Sequence, residues 1–158
     1  RQRQMCIRDR NNVDDLFAWS DMFMTKKIEF ANESYEISYD DVYLDMILDN
    51  LGIEPAVSKN YVKRTVVYYS ACPTCAKKAY IKVAEEDGLI YNTIVMSIKR
   101  GLDNAVYNGK LKNIDDLLQG SVYDYDYGFT NKEFIAIICD YLQNHGYLNV
   151  KHLIDDGI

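Results

Sequence analysis

The sequence predicts one domain of mixed type, α/β or α+β, with a small central sheet flanked by helices. Three observations carry this. Thr65-Val-Val-Tyr-Tyr69 is a continuous apolar, β-favouring run of the kind that fills a buried strand. Residues 26–38 alternate apolar and polar, as a half-buried hairpin does. Residues 44–51 and 135–142 repeat apolar side chains at i, i+3, i+4 and i+7, the period of an amphipathic helix.

Taken in order, residues 11–24 suit a short helix anchored by Leu16, Phe17 and Trp19. In the hairpin, Ile28 and Phe30 answer Tyr35 and Ile37 across a turn at Asn32-Glu33. Ser38-Tyr-Asp-Asp41 opens a helix with a capping-box pattern, its acids in the positive first turn. Leu44, Ile47, Leu48 and Leu51 follow on one face, and Gly52 closes it. The strand Thr65–Tyr69 is expected at the centre of the sheet. After it, Ala76, Ala79, Tyr80, Val83 and Ala84 mark a helical face that ends at Asp87-Gly88. Residues 89–106 fit a helix through Ile90, Tyr91, Ile94, Val95 and Ile98, yet Thr93–Met96 also suits a strand, so the pattern leaves both open. Tyr107-Asn-Gly-Lys110 suits a two-residue hairpin turn, because Asn-Gly tolerates positive φ at both positions. Asn113 caps a short helix closed by Gly120, and Thr130-Asn-Lys-Glu133 is a second capping box, opening a helix that stops at His145-Gly146. The organisation is a hairpin-helix unit over 26–52, a dithiol core over 60–119 and a C-terminal helical part over 130–158, all within one domain spanning 11–158.

Composition bounds the function. With 48% apolar residues, 13% aromatics and fourteen tyrosines among 158 residues, the chain is not of disordered type. The formal charge is −6. The first ten residues distort it, carrying four arginines and one aspartate. Met5-Cys6-Ile7-Arg8-Asp9-Arg10 resembles the translation of a transposon-end sequencing adapter, so residues 1–10 are set aside as a scar, pointing to a metagenomic source. The remainder has a net charge of −9. Such a chain does not draw in nucleic acid by its field, and a basic protein is the expected partner. No run approaches the ~20 apolar residues of a membrane span, so no membrane association is expected. Beyond the scar stand Cys72, Cys75 and Cys139, an odd count without an apolar leader, which favours a reducing cytoplasm.

Cys72-Pro73-Thr74-Cys75 is the pattern that could carry chemistry. Two thiols at this spacing close a disulfide or clamp a metal. Behind a strand and at the start of a helix, Cys72 would gain a stabilised thiolate and act as nucleophile, with Cys75 resolving; no cofactor is then required. At the tip of a hairpin returning through Lys78–Val83, the same pair would form half of a structural zinc site. For the other half, Cys139 lies on an apolar helical stripe, and His145 and His152 are distant in sequence. Two inert cysteines beside a turn is the bland alternative.

Thr65-Val-Val-Tyr-Tyr-Ser-Ala-Cys-Pro-Thr-Cys-Ala-Lys-Lys-Ala79 resembles the glutaredoxin and thioredoxin-like family: an apolar strand, Cys-Pro-x-Cys, then lysine. Val106–Leu111 and Ile114–Leu118 are similar to that family's last hairpin and closing helix. The resemblance spans residues 64–119 and implies a thioredoxin-like arrangement there, with Cys72 and Cys75 as the redox pair. Prolines stand only at 55 and 73, so the family's cis-proline before its third strand has no counterpart.

Tyr123-Asp-Tyr-Asp-Tyr-Gly-Phe129 alternates aromatic and acidic residues. It reads as an edge strand burying its rings and showing Asp124 and Asp126 to water, or as an adhesive acidic surface. It lacks the glycine and closing glutamate of a calcium loop. The residues around His145 and His152 form no triad pattern, and no glycine-rich phosphate loop is present. Two function classes remain: a thiol-disulfide oxidoreductase using Cys72 and Cys75, and a non-enzymatic acidic binding protein of phage or mobile-element type.

Overall fold

The computed structural model describes residues 23–30 and 32–154. The segment expected as a helix over 11–24 lies outside them except for its end, Phe23 and Met24, which belong to a strand. β1 (Phe23–Phe30) and β2 (Glu33–Asp40) form the expected hairpin, with Phe30 opposite Glu33 and Asn32 at φ +66°. β3 (Leu148–Leu153) pairs antiparallel with β2 along its other edge, giving the order β1-β2-β3. One face of this sheet presents Ile28, Phe30, Ile37, Tyr39 and Leu148 to the core, while Lys27, Glu29, Asn149 and Lys151 are exposed. That alternation is what an antiparallel sheet covered on one side requires. The sequence reading missed β3 inside a part taken as helical. Its signal was short: Leu148 and Val150, one residue apart, followed in phase by His152.

Among the described residues there are also six α-helices: α1 (Asp41–Asn50), α2 (Ala56–Ala71), α3 (Ala76–Asp87), α4 (Tyr91–Tyr107), α5 (Ile114–Leu118) and α6 (Asn131–Asn144). α1 begins where expected, but its cap is Asp40, which accepts from the Tyr43 N–H at 3.0 Å, while Ser38 remains in β2. Thr130 and Glu133 make both bonds of the capping box of α6, an arrangement worth about 1 kcal/mol.

The largest correction concerns Thr65–Tyr69, which is no strand but the C-terminal half of α2. α2 packs against α3, α4 and α6 and against the sheet, and every residue from Thr65 to Ser70 is buried. A helix enclosed on all sides is apolar all round, so its sequence lacks the gaps that normally betray the 3.6 period. The few tenths of a kcal/mol by which β-branched residues disfavour a helix are overridden by that burial. The tyrosines also find partners at the margins of α2: the Tyr68 hydroxyl bonds Glu86 on α3, and its ring meets Phe30 on β1 at 5.9 Å.

From Tyr91 onward, residues 89–106 resolve as helix, with Ile94, Ile98, Leu102 and Ala105 buried in α4. Asn108-Gly109 is the end of α4 and no hairpin, with Gly109 at φ +76°. Residues 64–119 therefore contain no strand, and the thioredoxin-like element order expected there is not the one adopted. Tyr123–Phe129 is likewise irregular chain rather than an edge strand.

Candidate functional site

The chain reverses between α2 and α3, and the two cysteines form that corner. Cys72 ends α2, its N–H bonded to the Tyr69 carbonyl at 3.1 Å. Pro73 then opens a single 3-10 turn, Pro73–Cys75, where its missing N–H costs nothing. The Cys75 N–H returns to the Cys72 carbonyl at 2.9 Å, and Cys75 takes the N-cap position of α3. The expectation that a helix begins at Cys72 is thus met only by one 3-10 turn. The long helix starts at Ala76, so its positive end faces Cys75 most directly, and the terminal carbonyls of α2 face Cys72.

This corner brings the sulfurs to 2.6 Å from one another, hydrogen-bonded, with both residues partly exposed. The Thr74 hydroxyl lies 3.5 Å from Cys72 Sγ and 3.8 Å from Cys75 Sγ. Cys72 is held below the ordinary thiol range. The side-chain hydrogen bond with Cys75 is the main cause, followed by the one with the Thr74 hydroxyl. The Thr74 N–H and the charge of Lys78 act in the same direction, and partial burial opposes them. Lys78 contributes from the first turn of α3.

The sheet approaches the same corner. Tyr35 on β2 has its phenol pushed above the usual value, first by burial and then by the negative charges of Cys72, Glu33 and Cys75. His152, directly opposite Tyr35 in the ladder, stacks on it with ring centroids 5.0 Å apart and bonds Glu33 at 3.0 Å. Tyr35 was not singled out from sequence as a neighbour of the cysteines, nor His152 as its stacking partner, because the β2–β3 ladder that pairs them was not recognised.

The hairpin expected for a zinc knuckle is not formed. The pair sits between helices instead of at a hairpin tip, and Lys78–Val83 lies within α3. Among the described residues no group of three His, Cys, Asp or Glu is placed to hold a metal ion. Cys139 is buried on α6, its Sγ 3.7 Å from Gln143 Oε1. Burial, then the nearby Asp140 charge, pushes its thiol up to about 12. It shares with Tyr69, Pro73 and Ile137 the wall of a surface groove of about 370 Å³. His145 ends α6 as expected, its Nδ1 2.9 Å from the Tyr141 carbonyl and its ring stacked on Tyr141.

No protein-family model matches the chain, and no curated protein matches it either. Among the described residues no helix is long and apolar enough to cross a membrane.

Proposed function

We propose that the protein is a thiol-disulfide oxidoreductase whose Cys72 and Cys75 cycle between dithiol and disulfide. The observation that carries the reading is the corner between α2 and α3: two partly exposed sulfurs 2.6 Å apart, one with a depressed pKa. Depressed thiolates in accessible, electropositive surroundings are the reactive ones.

In the proposed cycle the Cys72 thiolate attacks one sulfur of a substrate disulfide. A mixed disulfide forms, the substrate S–S bond breaks, and the departing thiolate takes a proton from water. The Cys75 thiol then loses its proton, and its thiolate attacks Cys72 Sγ. The mixed disulfide breaks, the second substrate thiol leaves, and the protein retains a Cys72–Cys75 disulfide. Two electrons have passed to the substrate, and a dithiol reductant from outside the chain restores the starting state. A reducing cytoplasm is the compartment proposed for this cycle.

The test is trapping. Incubated with an excess of an aromatic disulfide such as dithionitrobenzoate, Cys6→Ser/Cys75→Ser is expected to hold one stable mixed disulfide on Cys72, readable by intact mass. Cys72→Ser should form no turnover product, while Cys139→Ser should behave as the parent. Equal turnover in Cys72→Ser and the parent would defeat the reading.

A further inference from the structure

Far from the cysteines in sequence, residues 121–130 connect α5 to α6 without regular structure, yet side chains fasten them at several points. Asp115 Oδ1 accepts the Val122 and Tyr123 N–H groups, each at 2.8 Å. Asp124 Oδ1 accepts from the N–H groups of Asp126 at 2.8 Å and Tyr127 at 3.1 Å, and the Gly128 N–H reaches the Asp124 carbonyl at 2.7 Å. Tyr123 turns inward, its ring edge-on to Phe129 at 5.9 Å, and Phe129 meets Phe134 of α6.

Tyr125 meets the Tyr123 ring edge-on at 4.9 Å, yet it and Tyr127 stay largely in water. Tyr125 is 75% exposed and Tyr127 87%. The loop backbone leans on the end of α4: a Cβ at Gly128 would stand 3.6 Å from Val106 Cγ2. Val106 is itself exposed, and the next residue, Tyr107, is 93% exposed. Three aromatic rings are thus held in water by a fastened scaffold. Tyr125 gains one ring contact from Tyr123, and rigid tyrosines supply contact area at little cost in side-chain entropy.

Charge selects the occupant. Residues 121–130 carry Asp124 and Asp126, both exposed, and no basic residue. A second copy docking symmetrically would set these carboxylates against their own equivalents. Nucleic acid and anionic lipid headgroups meet the same repulsion. A cationic protein segment gains from both features, because Arg or Lys lies favourably over tyrosine rings while pairing with the rim carboxylates. We infer that Val106, Tyr107, Tyr125 and Tyr127, rimmed by Asp124 and Asp126, form a docking surface for an arginine- or lysine-rich segment of a partner protein. The surface is independent of the dithiol chemistry.

The experiment titrates the full chain into a fluorescent arginine-rich dodecapeptide and follows anisotropy, with a glutamate-rich peptide of equal length as control. Saturable binding is expected for the basic peptide alone. Tyr125→Ser/Tyr127→Ser should weaken it at least tenfold. That variant leaves the net charge untouched, so the loss separates the surface from general attraction to an acidic chain. Asp126→Asn should weaken binding about threefold, within the range of an exposed charge pair. Both changes are at exposed positions, and circular dichroism verifies the fold. Undiminished binding in the double tyrosine variant overturns the inference. So does tighter binding to duplex DNA or to phosphatidylserine vesicles, or a parent dimer that the same variant dissociates.

Discussion

Cys72 and Cys139 are the same side chain in two settings, and the settings reverse their chemistry. Cys72 occupies a corner where the chain changes direction, and such corners leave donors free. A neighbouring thiol, the Thr74 hydroxyl and N–H and the Lys78 ammonium all favour its thiolate. Cys139 stands mid-helix on α6, where the backbone donors are committed to the helix and an apolar surround disfavours charge. Asp140 adds a like charge to what burial has already done. Reactivity here follows from which backbone and side-chain donors the fold leaves available, and the residue type alone decides nothing.

The contrast should be largest in alkylation by iodoacetamide at pH 7. A thiol near 12 is thiolate in about one part in 10⁵ at that pH, against a few per cent for an unperturbed cysteine. Cys72 should therefore react at least 10³-fold faster than Cys139, with a rate that titrates below the free-thiol midpoint of about 8.5. Peptide mass mapping over a pH series reads both rates. Comparable rates at the two positions would remove the distinction between corner and core.

The same comparison shows where sequence was legible. α1 and α6 could be read because each is amphipathic and begins near an N-terminal signal: Thr130 caps α6 as expected, whereas α1 is capped by Asp40 and not by the Ser38 of the expected pattern. The cysteine pair was legible as a pair, since i and i+3 spacing suffices to bring sulfurs together in any tight turn. Its setting was not. The C-terminal half of α2 looked like a strand because tertiary enclosure of Thr65–Ser70 erased its period, and enclosure is a property of the neighbouring elements, absent from the local sequence. Asn108-Gly109 failed for a related reason: positive φ serves a helix end as well as a hairpin, and only the preceding residues decide. Tyr35 was out of reach because its place beside the dithiol depends on the sheet, and the His152 ring stacked on it comes from β3, about 115 residues after β2 begins.

A smaller effect concerns stability. Cys139 has a folded pKa raised above its unfolded value, so the folded state holds its proton more tightly. For a thiol this contribution is complete below the unfolded value of about 8.5 and is lost as pH rises from there towards 12. Cys139→Ala lacks the titration but leaves a small cavity, expected to cost about 1 kcal/mol at pH 7. Between pH 7 and pH 9.5 the parent should lose about 1 kcal/mol more than the variant, so the two urea midpoints should converge. Buried tyrosines titrate in both proteins and cancel in the difference. Midpoints that stay parallel across this range would mean that Cys139 is not held in its neutral form by the fold.

The smallest expected effect tests the finest part of the contrast, the role of Lys78 at the start of α3. Its ammonium is exposed, and it is the last-ranked of the influences that lower the Cys72 pKa, behind the Cys75 and Thr74 hydrogen bonds. Lys78→Gln removes the charge and leaves those bonds in place. The helix itself should be unaffected, because the two side chains have nearly equal helix propensity. An exposed charge interaction of this kind is worth a fraction of a kcal/mol, so Cys72 alkylation at pH 7 should fall about twofold in low salt. In 1 M salt, where screening acts within about 3 Å, parent and variant should converge. Thr74→Val, by contrast, removes a hydrogen bond and should retain its deficit at any ionic strength. A Lys78→Gln deficit that persists in 1 M salt would point to a direct contact with the thiolate and place Lys78 among the groups that hold it.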